Sequence, residues 1–166
     1  MQKRTGVFHL ALLGGGVFGV LALAAFVQQA AAQYPDASKG PGRSVTVRGS
    51  VSQTVDRLTK MVADNGMMVM GELHQGKVLA MTGLRVESET IFVGSPTVGK
   101  KIFSVEPGAG LVVPVRINIY KDANGKTVVR YIPPSREMEA FGNAKASKIC
   151  QVLDGKLQNM VSMLPK

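Results

Sequence analysis

Between Val113 and Tyr120 apolar and polar residues alternate, with Val113, Val115, Ile117 and Ile119 on one side and Pro114, Arg116, Asn118 and Tyr120 on the other. A period of two predicts a strand with one buried and one wet face. Asp122-Ala123-Asn124-Gly125 then predicts a turn into an antiparallel partner, Lys126 to Tyr131. Pro133-Pro134 predicts the end of the sheet there, because proline cannot donate to a strand ladder. A different period governs Val51, Val55, Leu58 and Val62, which recur at helical spacing. Ser50 with Gln53 three residues on forms a capping-box pattern at the start of this helix. Gly66 stands where a left-handed cap would stop it. A second helix begins near Asn143, where Ala146, Cys150, Leu153, Leu157, Met160 and Leu164 form one apolar stripe.

Shorter apolar runs fill in the rest. Val45 and Val47 alternate as a first strand, and Met67 to Leu73, flanked by glycine, reads as a second. Lys77 to Met81 suggests a helical turn closed by Gly83. Thr90 to Val93 reads as a third strand, ending at Gly94-Ser95-Pro96 with a short helix after it. Strands and helices interleave irregularly around one clear hairpin. This order predicts a small two-layer α+β domain, a mostly antiparallel sheet of about five strands with helices packed on one face.

The N-terminal pattern is of another kind. Lys3 and Arg4 precede a run from Val7 to Val27 that carries no acidic or basic residue apart from His9, and Ala30-Ala31-Ala32 follows ahead of Gln33. A basic start, an apolar run and a small-residue cleavage site predict a secretory signal peptide over residues 1–32. The mature protein is then periplasmic or secreted. The run also reaches the roughly 20 apolar residues that span a bilayer, so the membrane enters only if the segment stays uncleaved. Gly14-Gly15-Gly16 weakens it as a helix, and no cysteine follows it to carry a lipid. Residues 33–43 (QYPDASKGPGR) are polar, bear Pro and Gly, and lack periodicity, which predicts a flexible linker. Residues 44–166 suit a single domain.

Export changes how charge reads. Lys3 and Arg4 leave with the leader, so the mature chain keeps 18 basic against 11 acidic residues, a formal +7. The basic residues are scattered, and nucleic acid is not a partner to be met outside the cytoplasm. The charge therefore reads as a self-repelling, soluble surface rather than a binding stripe. Cys150 is the one cysteine, which excludes an intramolecular disulfide in an oxidising compartment. It lies within the apolar stripe of the last helix, with Asp154 four residues on, a neighbour that raises a thiol pKa.

Three constellations invite chemistry. Gly94-Ser95-Pro96-Thr97-Val98-Gly99-Lys100 matches the start of a phosphate-binding loop. Lys101 stands where that motif needs Ser or Thr for magnesium, and Pro96 removes a backbone donor, so nucleotide binding is rejected. What survives is a helix start at Ser95 with Lys100 near it, able to hold a small anion. Met68, Met70, Glu72 and His74 would share one face of an extended strand. Thioethers favour Cu(I) and imidazole binds several transition metals, so copper on His74, Met68 and Met70 is the metal reading. Eight mature methionines and no tryptophan also suit methionine as core filler. Finally, His74 and Cys150 are the sole mature histidine and cysteine. A nucleophilic pair would have to join them, and sequence cannot bring them together.

The blocks from Gly66 through His74, Gly83-Leu84, Ile91 to Pro96, Val113-Pro114-Val115, and the hairpin from Ile119-Tyr120 through Gly125 to Tyr131 resemble the domain of unknown function 302 family. The likeness runs from about Val45 to Leu164. It implies a compact α+β fold that commonly dimerises, and no established reaction. His74 matches a position of that family. Lys121 departs from the acidic residue that often follows the strand tyrosine, and Met67, Met68 and Met70 replace more ordinary strand residues.

Together these readings lead to an exported, non-enzymatic homodimeric module that binds a small ligand or a protein partner through His74, Ser95 and Lys100. A copper or other metal-binding protein using His74, Met68 and Met70 is the alternative. A small hydrolase or redox enzyme using His74 and Cys150 is the weaker one.

Overall fold

The structure, a computed structural model, describes residues 40–166. The segment 1–32, expected to be a signal peptide, and most of the expected linker lie outside the described residues. β1 (Arg43–Val47) opens the domain and α1 (Val51–Asp64) follows it. Then come β2 (Met68–Leu73), α2 (Gln75–Ala80), β3 (Ser88–Gly94) and α3 (Pro96–Phe103). After a 3₁₀ turn at Pro107–Leu111, β4 (Val115–Lys121) and β5 (Thr127–Tyr131) form the hairpin. α4 (Pro134–Met138) and the long α5 (Ala144–Ser162) end the chain. The five strands make one sheet in the order β1-β5-β4-β3-β2, every neighbouring pair antiparallel. The α+β architecture expected from the hydrophobic pattern is present.

Local chemistry explains the boundaries. The Ser50 side chain accepts from Gln53 N while the Gln53 side chain accepts from Ser50 N, both at 3.1 Å, closing the capping box at the head of α1. At its other end Gly66 takes φ +65°, its N–H bonds Ala63 O, and Met67 N bonds Val62 O, each at 3.0 Å. These paired bonds form a Schellman cap, and buried Met67 and Val62 supply its hydrophobic contact. Asn143 caps α5 by accepting from Ala146 N at 3.0 Å. In the hairpin, Asp122 Oδ1 accepts from Asn124 N and Lys126 N at 2.9 and 2.8 Å, the side-chain turn that the Asp-Ala-Asn-Gly run predicts.

The core lies between one face of the sheet and the helices. Ile91, Val93, Val115, Ile117, Ile119 and Val129 supply the sheet side, and Leu58, Val62, Ile102, Cys150, Leu157 and Met160 the helical side. The stripe predicted for the last helix is buried throughout, including Leu164 just beyond the helix end. Two features depart from the sequence pattern. Pro133-Pro134 ends the sheet but also starts α4, because a proline at the first helical position has no N–H to waste and a φ already suited to a helix. β1 begins at Arg43, one residue inside the predicted linker, where Arg43 pairs with Tyr131.

Candidate functional site

β2 is an edge strand, and its register carries a bulge: Val69 faces Val93, Gly71 faces Phe92, and Met70 is the extra residue between them. One inserted residue reverses the side-chain alternation of everything after it. Met68 therefore pairs with Gly94 and Glu72 with Ile91, positions an odd number apart on β3 and so on opposite faces. The shared face expected for Met68, Met70, Glu72 and His74 is corrected by this bulge. His74 lies past the far end of β2, on the order of 12 Å along an extended chain from Met70. Along the strand this sets the imidazole apart from the thioethers of the copper reading. Among the described residues no group of three or more His, Cys, Asp and Glu side chains is arranged to hold a metal ion.

His74 has another partner. Its Nδ1 lies 3.0 Å from Glu89 Oε2, and the imidazole is 41% exposed. Glu89 stands opposite Ile119, so the pair sits at the border of the helical layer. His74 also occupies the position before α2, where its side chain makes no capping bond. It pins the β2–α2 junction to β3.

Ser95, Lys100 and Met70 do come together. Ser95 is buried at the head of α3, where its Oγ accepts from Val98 N at 3.5 Å and its backbone oxygen from Gly99 N at 2.7 Å. Pro96 at the first helical position and the helical repeat of Val98 and Ile102, both buried, fix α3 against the core. Lys100, one turn on, is exposed. Together with Met70, Phe103, Pro114 and Leu153 they line a slot of about 350 Å³. Its walls are mostly apolar, and among the described residues Lys100 is the one charged group in them. A concave, largely apolar cavity with a few polar groups at its border is the usual form of a small-molecule site. Phe103, Pro114 and Leu153 were not legible as site residues, because they arrive from α3, the β4 approach and α5, which sequence does not juxtapose.

Cys150 is fully buried in α5. Burial first, and the Asp154 carboxylate second, push its thiol up to about 11. At neutral pH it is a neutral thiol, the form that is neither nucleophile nor metal ligand. Tyr131 is raised in the same sense, chiefly by burial.

With this geometry in view, comparison with known proteins places the chain. The profile of the domain of unknown function DUF302 matches residues 43–164, and the chain belongs to that family. A crystal structure of an uncharacterized conserved protein DUF302 from Bacillus stearothermophilus superposes with a TM-score of 0.68 at 17% sequence identity, covering 72% of this chain and 94% of that one. That likeness establishes the shared fold. No curated protein is a significant match.

Proposed function

We propose that this protein is an exported, non-enzymatic module that binds a small amphipathic anion, the apolar body in the slot and the acidic group at Lys100. The observation that carries this reading is the convergence of Met70, Ser95 and Lys100 on one apolar cavity with a single cationic border. Apolar walls select a hydrocarbon or ring system, and an ammonium at the border selects a carboxylate or sulfonate. The buried, protonated thiol of Cys150 speaks against thiol chemistry. Export rests on the Lys3-Arg4 start, the apolar run and the Ala30-Ala31-Ala32 site.

Dimerisation belongs to the same proposal. Its support is edge strand β2, on which Met68, Met70 and Leu73 are each between 43% and 50% exposed. An edge with open ladder groups and apolar side chains favours pairing with another chain. Light scattering should give twice the chain mass for the wild type and the monomer mass for Met68→Lys, which puts a charge on that edge.

Octanoate titrated into the protein tests the slot. Wild type should bind it, and Lys100→Glu should weaken binding at least about tenfold by replacing attraction with repulsion. Equal affinity in the two would refute the assignment. Native mass spectrometry of protein taken from its own export compartment would then identify the resident molecule.

A further inference from the structure

The surface beside the slot carries apolar side chains that the core does not take up. In α3 the buried residues Val98 and Ile102 stand four apart, so Lys100, Lys101 and Phe103 fall on its flanks, exposed to water. In the 3₁₀ turn Pro107–Leu111 residues three apart eclipse, so the buried pair Ala109 and Val112 marks its inner side. Leu111 is left outside and is 81% exposed. The two elements meet at Phe103. A β-carbon at Gly110 would stand 3.9 Å from the Phe103 ring, which therefore rests against the residue next to Leu111. Phe103, itself 45% exposed, is also a wall of the slot, so the slot and this outer patch share it.

The charge beside the patch is of one sign. From Gly94 to Val113 the basic residues are Lys100 and Lys101, and the one acidic residue is Glu106. Glu106 is engaged inside the fold, where its carboxylate accepts from Gly108 N and from Asn143 Nδ2, both at 3.2 Å. Both lysines are exposed, and among the described residues neither enters an ion pair. Apolar side chains bordered by cations suit an anionic bilayer. The acyl boundary takes the hydrocarbon, and the headgroup anions take the ammonium groups. A second copy fits this patch poorly. Paired about a two-fold axis, it would set its own two lysines against these, like charge on like charge.

We infer that Phe103, Leu111, Lys100 and Lys101 form a docking face for a bilayer surface that bears anionic headgroups. Phe103 and Leu111 enter the acyl boundary, and the two ammonium groups lie among the headgroups. Docking brings the aromatic wall of the slot to the membrane, where an amphipathic anion partitions, so the slot exchanges its ligand with the bilayer. That consequence rests on the reading of the slot proposed above; the docking itself does not.

The test is co-sedimentation of the mature chain, residues 33–166, with phosphatidylcholine vesicles that contain about one-quarter phosphatidylglycerol. The chain should partition onto these vesicles, about fivefold more weakly onto phosphatidylcholine alone, and more weakly as salt rises. Lys101→Glu and Leu111→Ser should each lower partitioning about fivefold or more. Fluorescence reads the orientation, since the chain has no tryptophan of its own. Emission from Leu111→Trp should be quenched by brominated lipid. Emission from Met81→Trp, 87% exposed just after α2 at the far end of β2, should not. Octanoate titrated without vesicles should bind Leu111→Ser as it binds wild type, because Leu111 takes no part in the lining. If octanoate fails to bind while wild type still sediments, the slot reading falls and the docking face stands. No sedimentation at about 1 mM anionic lipid, equal partitioning of Leu111→Ser, or equal quenching at positions 81 and 111 would each overturn the proposal. So would a change of mass by light scattering in Leu111→Ser, which would make a second copy the occupant.

Discussion

The thioether of Met70 lies across Gly94 so closely that a β-carbon at position 94 would stand 2.6 Å from Met70 Cε and 2.9 Å from Sδ. Gly94 is the last residue of β3 and Met70 is the bulged residue of β2, so this contact joins the bulge to the slot. Gly94→Ala forces the thioether to move. The atoms in the way are the far end of a flexible side chain, so the expected cost is at the low end of overpacking, about 1 kcal/mol. The displaced methionine reshapes the slot, so octanoate affinity should fall. In a Met70→Ala background the same substitution should cost close to nothing. A double-mutant cycle by urea unfolding measures this coupling. Strict additivity would mean that the two side chains do not constrain each other.

Cys150 gives a pH signature. Its thiol rises from 9.0 to about 11 in the folded protein. The folded state thus retains the proton that the unfolded chain releases, and the stabilisation is complete below pH 9. Stability should fall as pH rises from about 9 to 11, by about 3 kcal/mol in all, since a tenfold change in an acid dissociation constant corresponds to about 1.4 kcal/mol. Tyr131, also raised, adds a loss of the same sign at the alkaline end. Cys150→Ala should flatten the profile over this window without abolishing it. Native-state alkylation should be undetectable at neutral pH and appear only on unfolding. Rapid modification of the folded protein would contradict the burial.

Elements with strong periodicity were legible in the sequence. Val115, Ile117 and Ile119 fall on one face because strand geometry leaves no alternative once that face is buried. The Ser50 box and the Gly66 cap were legible because their chemistry is local. The failure at Met68 to His74 has a definite cause: a bulge is a two-strand property, and nothing within β2 alone announces that Met70 is unpaired. α4 was hidden because Pro133-Pro134 suits a sheet end and a helix start equally. Ser95 and Lys100 share one local motif, and both line the slot. Asn118 was visible as part of a wet face, but its alignment with Thr90 and Arg130 was not, since that depends on three strands in register.

Capping chemistry makes a direct stability prediction. Ser50 Oγ accepts from Gln53 N and Ser50 O accepts from Thr54 N at 3.1 Å, so Ser50 carries the first turn of α1. Ser50→Ala should destabilise the domain by about 0.5–2 kcal/mol, and Ser50→Gly by only a few tenths. Leu58, on the same helix and fully buried, should cost about 2–5 kcal/mol as Leu58→Ala. Chemical denaturation with an unchanged slope would assign both effects to the folded state. Similar losses at Ser50 and Leu58 would mean that α1 is held by its cap rather than by its buried stripe.

His74 is the sharpest discriminator between the functional readings. Its hydrogen bond with Glu89 is part-exposed, and exposed polar pairs of this kind contribute about 0–1 kcal/mol. His74→Ala should therefore lower stability by less than about 1 kcal/mol. Its effect on the slot should be smaller still, because the imidazole lies beyond the far end of β2 from Met70 and takes no part in the lining. Octanoate affinity in His74→Ala should stay within about twofold of wild type, and in Glu89→Gln likewise. A large loss of octanoate binding, or loss of a metal copurifying with the protein, would transfer the functional centre to His74. An unchanged affinity, set beside the loss expected in Lys100→Glu, leaves His74 as the pin between β2 and β3 and keeps recognition at α3.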